Sequence, residues 1–261
     1  MKKILATILL ILISVFPELV FAANTHSTDL ERDSSQYWEI LDAAQTGLDT
    51  TTGSHTILAW IKPETSNTDL IIASKINTAT GNGYGFQMTG ASGSLYSRNK
   101  TGDATQEITC AVGLSNGTWY HVGVVFDNTS NFLRIYLNGE DRCENTGATS
   151  DIGDNVVSFQ IGSNGLLGGD YFDGLVDNVM FFNSVLSTTT IVGYMNTELI
   201  GDESGLQGYW KFNDDAGVDQ TANNNDLTNV NTATFSTDVP FVEATPLNDV
   251  IISAPIYMEY E

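Results

Sequence analysis

The chain has 261 residues, with 32 Asp and Glu against 10 Lys and Arg and a net charge of −22. That charge repels phosphate backbones and anionic lipid surfaces, so nucleic acid is not an expected partner. An apolar fraction of 41% argues against global disorder, and few Lys among many Asp, Asn, Thr and Gly is a turn-rich β composition.

Residues 1–22 have the pattern of a cleaved export signal. Lys2 and Lys3 precede the apolar run from Ile4 to Phe16, and Val20-Phe21-Ala22 stands at the cleavage point. Pro17 and Glu18 hold that run to about a dozen residues, short of the roughly 20 that span a bilayer. The expectation is a mature protein without a membrane span, secreted, at the cell surface or periplasmic.

Short apolar runs with turn residues between them follow: Tyr37–Leu41, Thr56–Ile61, Leu70–Ser74, Tyr84–Met88, Ala104–Cys110, Thr118–Asp127, Phe132–Leu137, Val156–Ile161, Leu175–Phe182 and Gly208–Phe212. Their lengths suit strands. Alternation is plain where Tyr120, Val122, Val124 and Phe126 share one face, and where Leu133, Ile135 and Leu137 do. Turns such as Ser115-Asn116-Gly117 and Asn138-Gly139 join them, which predicts an antiparallel sandwich. One helix is predicted over Thr188–Asn196, capped by Ser187, with Ile191, Tyr194 and Met195 on its buried side. Residues 213–231 read as a long surface loop, and an apolar tail interrupted by Pro246 and Pro255 follows Glu243. Cys110 and Cys143 are the only cysteines; they either pair, in an oxidising compartment, or stay buried as thiols.

Four of these segments carry a family pattern. His55-Thr56-Ile57-Leu58-Ala59-Trp60-Ile61-Lys62-Pro63 resembles the Trp-Lys-Pro strand of laminin-G-like domains. Asn116-Gly117-Thr118-Trp119-Tyr120-His121-Val122 resembles their Asn-Gly-Thr-Trp strand, and Leu133-Arg134-Ile135-Tyr136-Leu137-Asn138-Gly139 the strand after it. Phe172-Asp173-Gly174-Leu175-Val176-Asp177-Asn178-Val179, followed by Leu186-Ser187, resembles their Asp-Gly-x-x-Asp strand. The resemblance to the concanavalin A-like lectin/glucanase superfamily implies an all-β, antiparallel jelly-roll sandwich, here over residues 28–243, with 244–261 as a tail. Gly208-Tyr209-Trp210-Lys211-Phe212-Asn213 often opens such domains but here closes one, which suggests a permuted arrangement of the strands.

Glucanases of this superfamily use carboxylates at alternate positions of one strand, set on either side of the sugar. No segment matches that pattern. Glu140 and Glu144 flank Asp141-Arg142-Cys143 after a turn and read as solvated charge, and His121 reads as a core-edge histidine. Calcium wants six to eight oxygens. Asp170, Asp173 and Asp177 with Asn178 beside them, and Asp215 and Asp219 in the stretch from Asn213, either ligate a structural Ca²⁺ or stay as unliganded acidic loops.

Sugar recognition uses aromatic faces together with polar groups on hydroxyls. Trp60, Trp119 and Trp210 sit in strand motifs and read as core. Tyr84, Phe86, Tyr96 and Tyr171 lie in or near Gly-rich turns and are the ligand-facing candidates. Asn99-Lys100-Thr101, Asn116-Gly117-Thr118 and Asn128-Thr129-Ser130 fit the glycan acceptor pattern. The expected function is a secreted, non-catalytic module recognising a glycan or another cell-surface or matrix ligand. An adhesive or structural surface subunit docked through the tail, and a glycoside hydrolase, are the alternatives.

Overall fold

A computed structural model describes residues 24–50, 53–65, 68–77, 79–90, 93–101, 104–147, 152–164 and 170–241. The export signal and the 244–261 tail expected from the sequence lie outside the described residues. The strands, in chain order, begin with β1 (Ser27–Leu30), β2 (Tyr37–Ile40), β3 (His55–Pro63), β4 (Leu70–Ile76), β5 (Gly83–Thr89), β6 (Ser94–Thr101), β7 (Ala104–Cys110) and β8 (Tyr120–Asp127). Then come β9 (Phe132–Leu137), β10 (Glu140–Asn145), β11 (Phe159–Ile161), β12 (Gly174–Phe182), the helix α1 (Thr188–Tyr194), β13 (Leu206–Trp210), β14 (Thr228–Val230) and β15 (Thr234–Ser236).

Every pairing among the described strands is antiparallel. The larger sheet runs β10-β9-β8-β3-β12-β1-β15, and β13 also pairs with β12. The smaller sheet runs β14-β2-β11-β4-β5-β6-β7. The two face each other as the antiparallel sandwich that the alternation predicts and the jelly roll that the resemblance implies. Asn138 at φ 50° and Gly139 at φ 79° make the left-handed two-residue turn that a β9–β10 hairpin needs. On β12, Asn178 at φ 47° forms a bulge, so residues up to Val176 pair with β1 while those from Val179 pair with β13. Two strands thus lie end to end along one edge of β12.

Strand alternation decides what fills the space between the sheets. From the larger sheet come Ile57, Ala59, Ile61, Val122, Val124, Phe126, Val176, Val179 and Phe181; from the smaller, Trp38, Ile72, Tyr84, Phe86, Met88, Leu95 and Ile161. Phe159 stacks on Trp210 with ring centroids 5.2 Å apart. At one side the disulfide Cys110–Cys143 joins β7 to β10, the edge strands of opposite sheets, with Cα atoms 5.8 Å apart. At one end Lys75, 1% exposed, plugs the gap between the sheets and pairs with Asp42 at 2.6 Å and Asp49 at 2.9 Å.

The outer faces of the two sheets differ. On the larger one, Leu58, Val125, Met180, Phe182 and Tyr209 are covered by Leu186, Ile191 and Leu199 from α1 and its flanking loops. α1 is weak on its own, since three Thr and a Val lose rotamer freedom in a helix. It is held by Ser187, whose hydroxyl accepts from Thr190 N at 3.1 Å, and by Tyr194 stacked on Phe182 at 5.8 Å. Further along the same face, Asp238 pairs with Lys62 and accepts from the Trp119 indole at 2.8 Å, and Phe241 lies against Trp60.

The stretch 213–231 is not the open loop expected from its Asn and Asp content. Asp219 organises it, accepting from Tyr209 N, Thr221 N, Thr221 Oγ1 and Asn225 N at 2.8–3.0 Å.

Candidate ligand-binding site

With the larger sheet covered, the outer face of the smaller sheet is where side chains of alternate residues meet solvent. Register places Tyr37 and Glu39 of β2, Gln160 of β11, Ser74 of β4, Gly85 and Gln87 of β5, Tyr96 and Arg98 of β6 and Glu107 of β7 on this face. The strands between Tyr37 and Tyr96 cover four inter-strand steps, about 19 Å at the usual spacing. That span fits several sugar rings, far more than one small group.

A cavity of about 240 Å³ opens at the β2 end, lined by Tyr37, Glu39, Val156, Val157, Ser158, Gln160 and Asn164. Tyr37 is stacked with Tyr171 at 6.0 Å. Burial, then the Glu39 carboxylate and Tyr171, raise the Tyr37 phenol above its usual range, so it stays a neutral donor. Val156, 82% exposed, stands at the cavity's rim.

Gln160 is 5% exposed, and its amide nitrogen lies 3.2 Å from Glu39 Oε2. A carboxylate is acceptor-only when ionised, so the NH₂ end must face it. The other end, Oε1, has no hydrogen-bond partner among the described residues. A buried carbonyl oxygen of this kind is costly unless a donor reaches it.

A second, smaller cavity of about 20 Å³ continues the face toward β6, between Ile71, Ser74, Gly85, Gln87, Tyr96 and Arg98, and shares Asn164 with the first. The Tyr96 hydroxyl donates to Glu107 at 2.8 Å. Burial and then that bond push its pKa up to about 12.

The sequence-predicted ligand residues divide. Tyr96 and Tyr171 stand half-buried on the open face. Tyr84 and Phe86 do not: they are 2% and 0% exposed, between the sheets, and the Tyr84 hydroxyl is spent on Leu48 O at 2.8 Å. Their nearby glycines suggested a turn, but β5 continues through them and its alternation sends both inward. Tyr37, Glu39 and Gln160 were missed, although the Tyr37-Trp38-Glu39 alternation around a core Trp marks two outward residues.

Among the described residues, no group of three or more His, Cys, Asp or Glu is placed to hold a metal ion. Asp177 is wholly buried on β12 and hydrogen-bonded to Asn24 at 2.9 Å; burial drives its pKa well above the usual carboxylate range. Asp173 accepts from Arg32 N at 3.2 Å, and Asp170 from the Asn164 amide at 3.4 Å. Asp215 sits at a left-handed turn, φ 55°, and the Asp219 carboxylate is filled by the donors already described.

Glu140 and Glu144 lie on edge strand β10, where Glu144 and Asp141 are ion-paired to Arg134. They are not part of the open face. His121 is 2% exposed and packs edge-on against Trp60 at 5.3 Å; burial lowers its pKa to about 3. Trp210 and Trp60 are buried as expected, at 0% and 8%, whereas Trp119 is only half-buried, its indole turned to Asp238. Asn99 of the first acceptor pattern is 1% exposed and points between the sheets, which closes it to glycosylation.

The structure is similar to that of a protein from Bacteroides ovatus ATCC 8483 proposed to bind carbohydrate, with a TM-score of 0.65 and 18% identity. That likeness covers 82% of this chain and 60% of the other, so the chain spans only part of its relative. A heptameric SAP-like pentraxin from Limulus polyphemus gives a TM-score of 0.50 at 16% identity, over 65% of this chain and 81% of that one. No curated protein sequence matches the chain. In sequence, the model of the concanavalin A-like lectin/glucanases superfamily matches residues 33–192, more than half of the chain. By that match, and with two antiparallel sheets, the chain belongs to the concanavalin A-like lectin/glucanases superfamily.

Proposed function

We propose that this protein is a non-catalytic carbohydrate-binding module that takes a glycan chain along the outer face of the smaller sheet. The observation that carries the reading is the larger cavity on that face. Its lining includes Tyr37, on which Tyr171 stacks, and Gln160, whose buried Oε1 has no donor among the described residues. Sugars offer the matching surfaces: an apolar ring face for the tyrosines and hydroxyl donors for the amide. Of the described residues lining this cavity, Glu39 alone bears a carboxylate, whereas glycoside hydrolysis uses two. A place of action outside the cytoplasm fits the Cys110–Cys143 disulfide.

The test is binding of the full chain to a glycan array, followed by calorimetric titration of the best ligand against Tyr37→Ala and Gln160→Ala. Each variant is expected to weaken binding roughly 10-fold, the loss of one contact worth about 1.4 kcal/mol. Absence of binding across the array, or full affinity in both variants, refutes the proposal.

A further inference from the structure

Resting on that reading, the inference concerns which glycan. Eight Lys and Arg lie among the described residues, and six make ion pairs: Arg32, Lys62, Lys75, Arg134, Arg142 and Lys211. Arg98 and Lys100 make none with any described residue. Both belong to the same strand and the same outward face of the smaller sheet. In a chain with 32 acids to 10 bases, a cation without a carboxylate partner among the described residues is the exception, and of these two Arg98 lines the smaller cavity.

The surroundings of Arg98 have room for an incoming group. Its neighbour across the β5–β6 ladder is Gly85, which has no side chain; a Cβ there would meet nothing nearer than Ser74 Cβ at 3.8 Å. The small cavity of about 20 Å³ opens beside Gly85, with Ser74, Gln87, Tyr96, Arg98 and Asn164 around it. Its volume suits one small polar group, since a water-sized probe needs about 10–15 Å³. Across the other ladder stands Glu107, but its carboxylate accepts the Tyr96 hydroxyl at 2.8 Å and makes no ion pair with Arg98.

We propose that the glycan bound on this face carries a carboxylate, as in a uronic or sialic acid, and that Arg98 receives that carboxylate in the small cavity beside Gly85. The planar guanidinium matches a carboxylate with two parallel N–H···O bonds, which a Lys at the same place does not. Gln87 and Asn164 then supply amide groups for neighbouring hydroxyls. The long-range repulsion of an acidic ligand by the chain's own charge is screened beyond about 8 Å at physiological salt, so contact with Arg98 decides the sign.

The experiment titrates the protein with trigalacturonate and its methyl ester, and with 3′-sialyllactose and lactose. Arg98→Gln and Arg98→Lys are titrated in parallel, and their melting temperatures report folding. One acidic member is expected to bind roughly 10- to 100-fold tighter than its uncharged counterpart, as for a charge-assisted contact. That preference disappears in Arg98→Gln and is reduced in Arg98→Lys. Equal affinity for acid and ester, a preference for neutral sugars, or an acidic preference that survives Arg98→Gln overturns this inference and leaves the proposed function standing. Failure of every glycan on the array and in the titrations overturns both.

Discussion

His55 gives the sharpest test of the packing described above. It lies on the inner side of β3, 0% exposed, stacked on Phe181 at 5.9 Å and flanked by Tyr84 at 5.1 Å and Phe126 at 5.5 Å. Neither ring nitrogen has a hydrogen-bond partner among the described residues, and burial alone lowers the pKa from 6.5 to about 3. Above pH 6.5 the ring is neutral in both folded and unfolded chains and leaves no pH dependence. As pH falls below 6.5 the unfolded chain takes up a proton that the folded chain refuses until about pH 3, so stability is lost across that window. At about 1.36 kcal/mol per unit, the loss is roughly 2 kcal/mol at pH 5 and about 4 kcal/mol at pH 3. His55→Leu removes the titrating group at similar volume. Urea unfolding of both proteins from pH 7.5 to 4 is expected to show the variant gaining on the parent by that slope. Because Asp177, Asp29, Glu64 and His121 are common to both chains, their own pH effects cancel in the difference. Parallel curves, or an NMR titration of His55 near 6.5 in the folded protein, refute a sealed core.

Two further outcomes follow from charge and covalent closure. Asp42→Asn with Asp49→Asn leaves the buried Lys75 ammonium uncompensated and is expected to cost about 3–5 kcal/mol in urea unfolding; adding Lys75→Met recovers most of it, and a triple variant as unstable as the double contradicts the pairing. Cys110→Ser with Cys143→Ser opens a bridge whose sequence separation is 33, and the loop-closure model gives a loss of about 4 kcal/mol, read as a lower urea midpoint without precipitation of the parent under the same oxidising buffer.

The fold was legible because it rests on alternation. Val122, Val124 and Phe126 face inward as their spacing says, and so do Leu133, Ile135 and Leu137. What escaped were strands without an apolar face to announce them. β10, with its run Glu140-Asp141-Arg142, is an edge held by backbone bonds to β9, and β14 and β15 have three residues each. The binding face was harder still, because its residues are the polar half of each strand. Glu39 and Gln160 are 121 apart in sequence and become neighbours only through the β2–β11 register. Glycine misled in the other direction: Gly83 marks a close backbone approach to Lys75 inside β5, and Gly85 lies within the same strand, not in a turn that would expose Tyr84.

The shared edge of β12 has a consequence for the order in which this chain acquires its shape. Thr28, near the start of the described residues, sits between Val176 on one side and Phe235 on the other. Pairings so remote in sequence form late and slowly. A ribosome must have released almost everything up to residue 236 before the larger sheet can close around its first strand. Until then the half-made layers expose apolar surface, and the larger sheet closes only after its last strand has emerged.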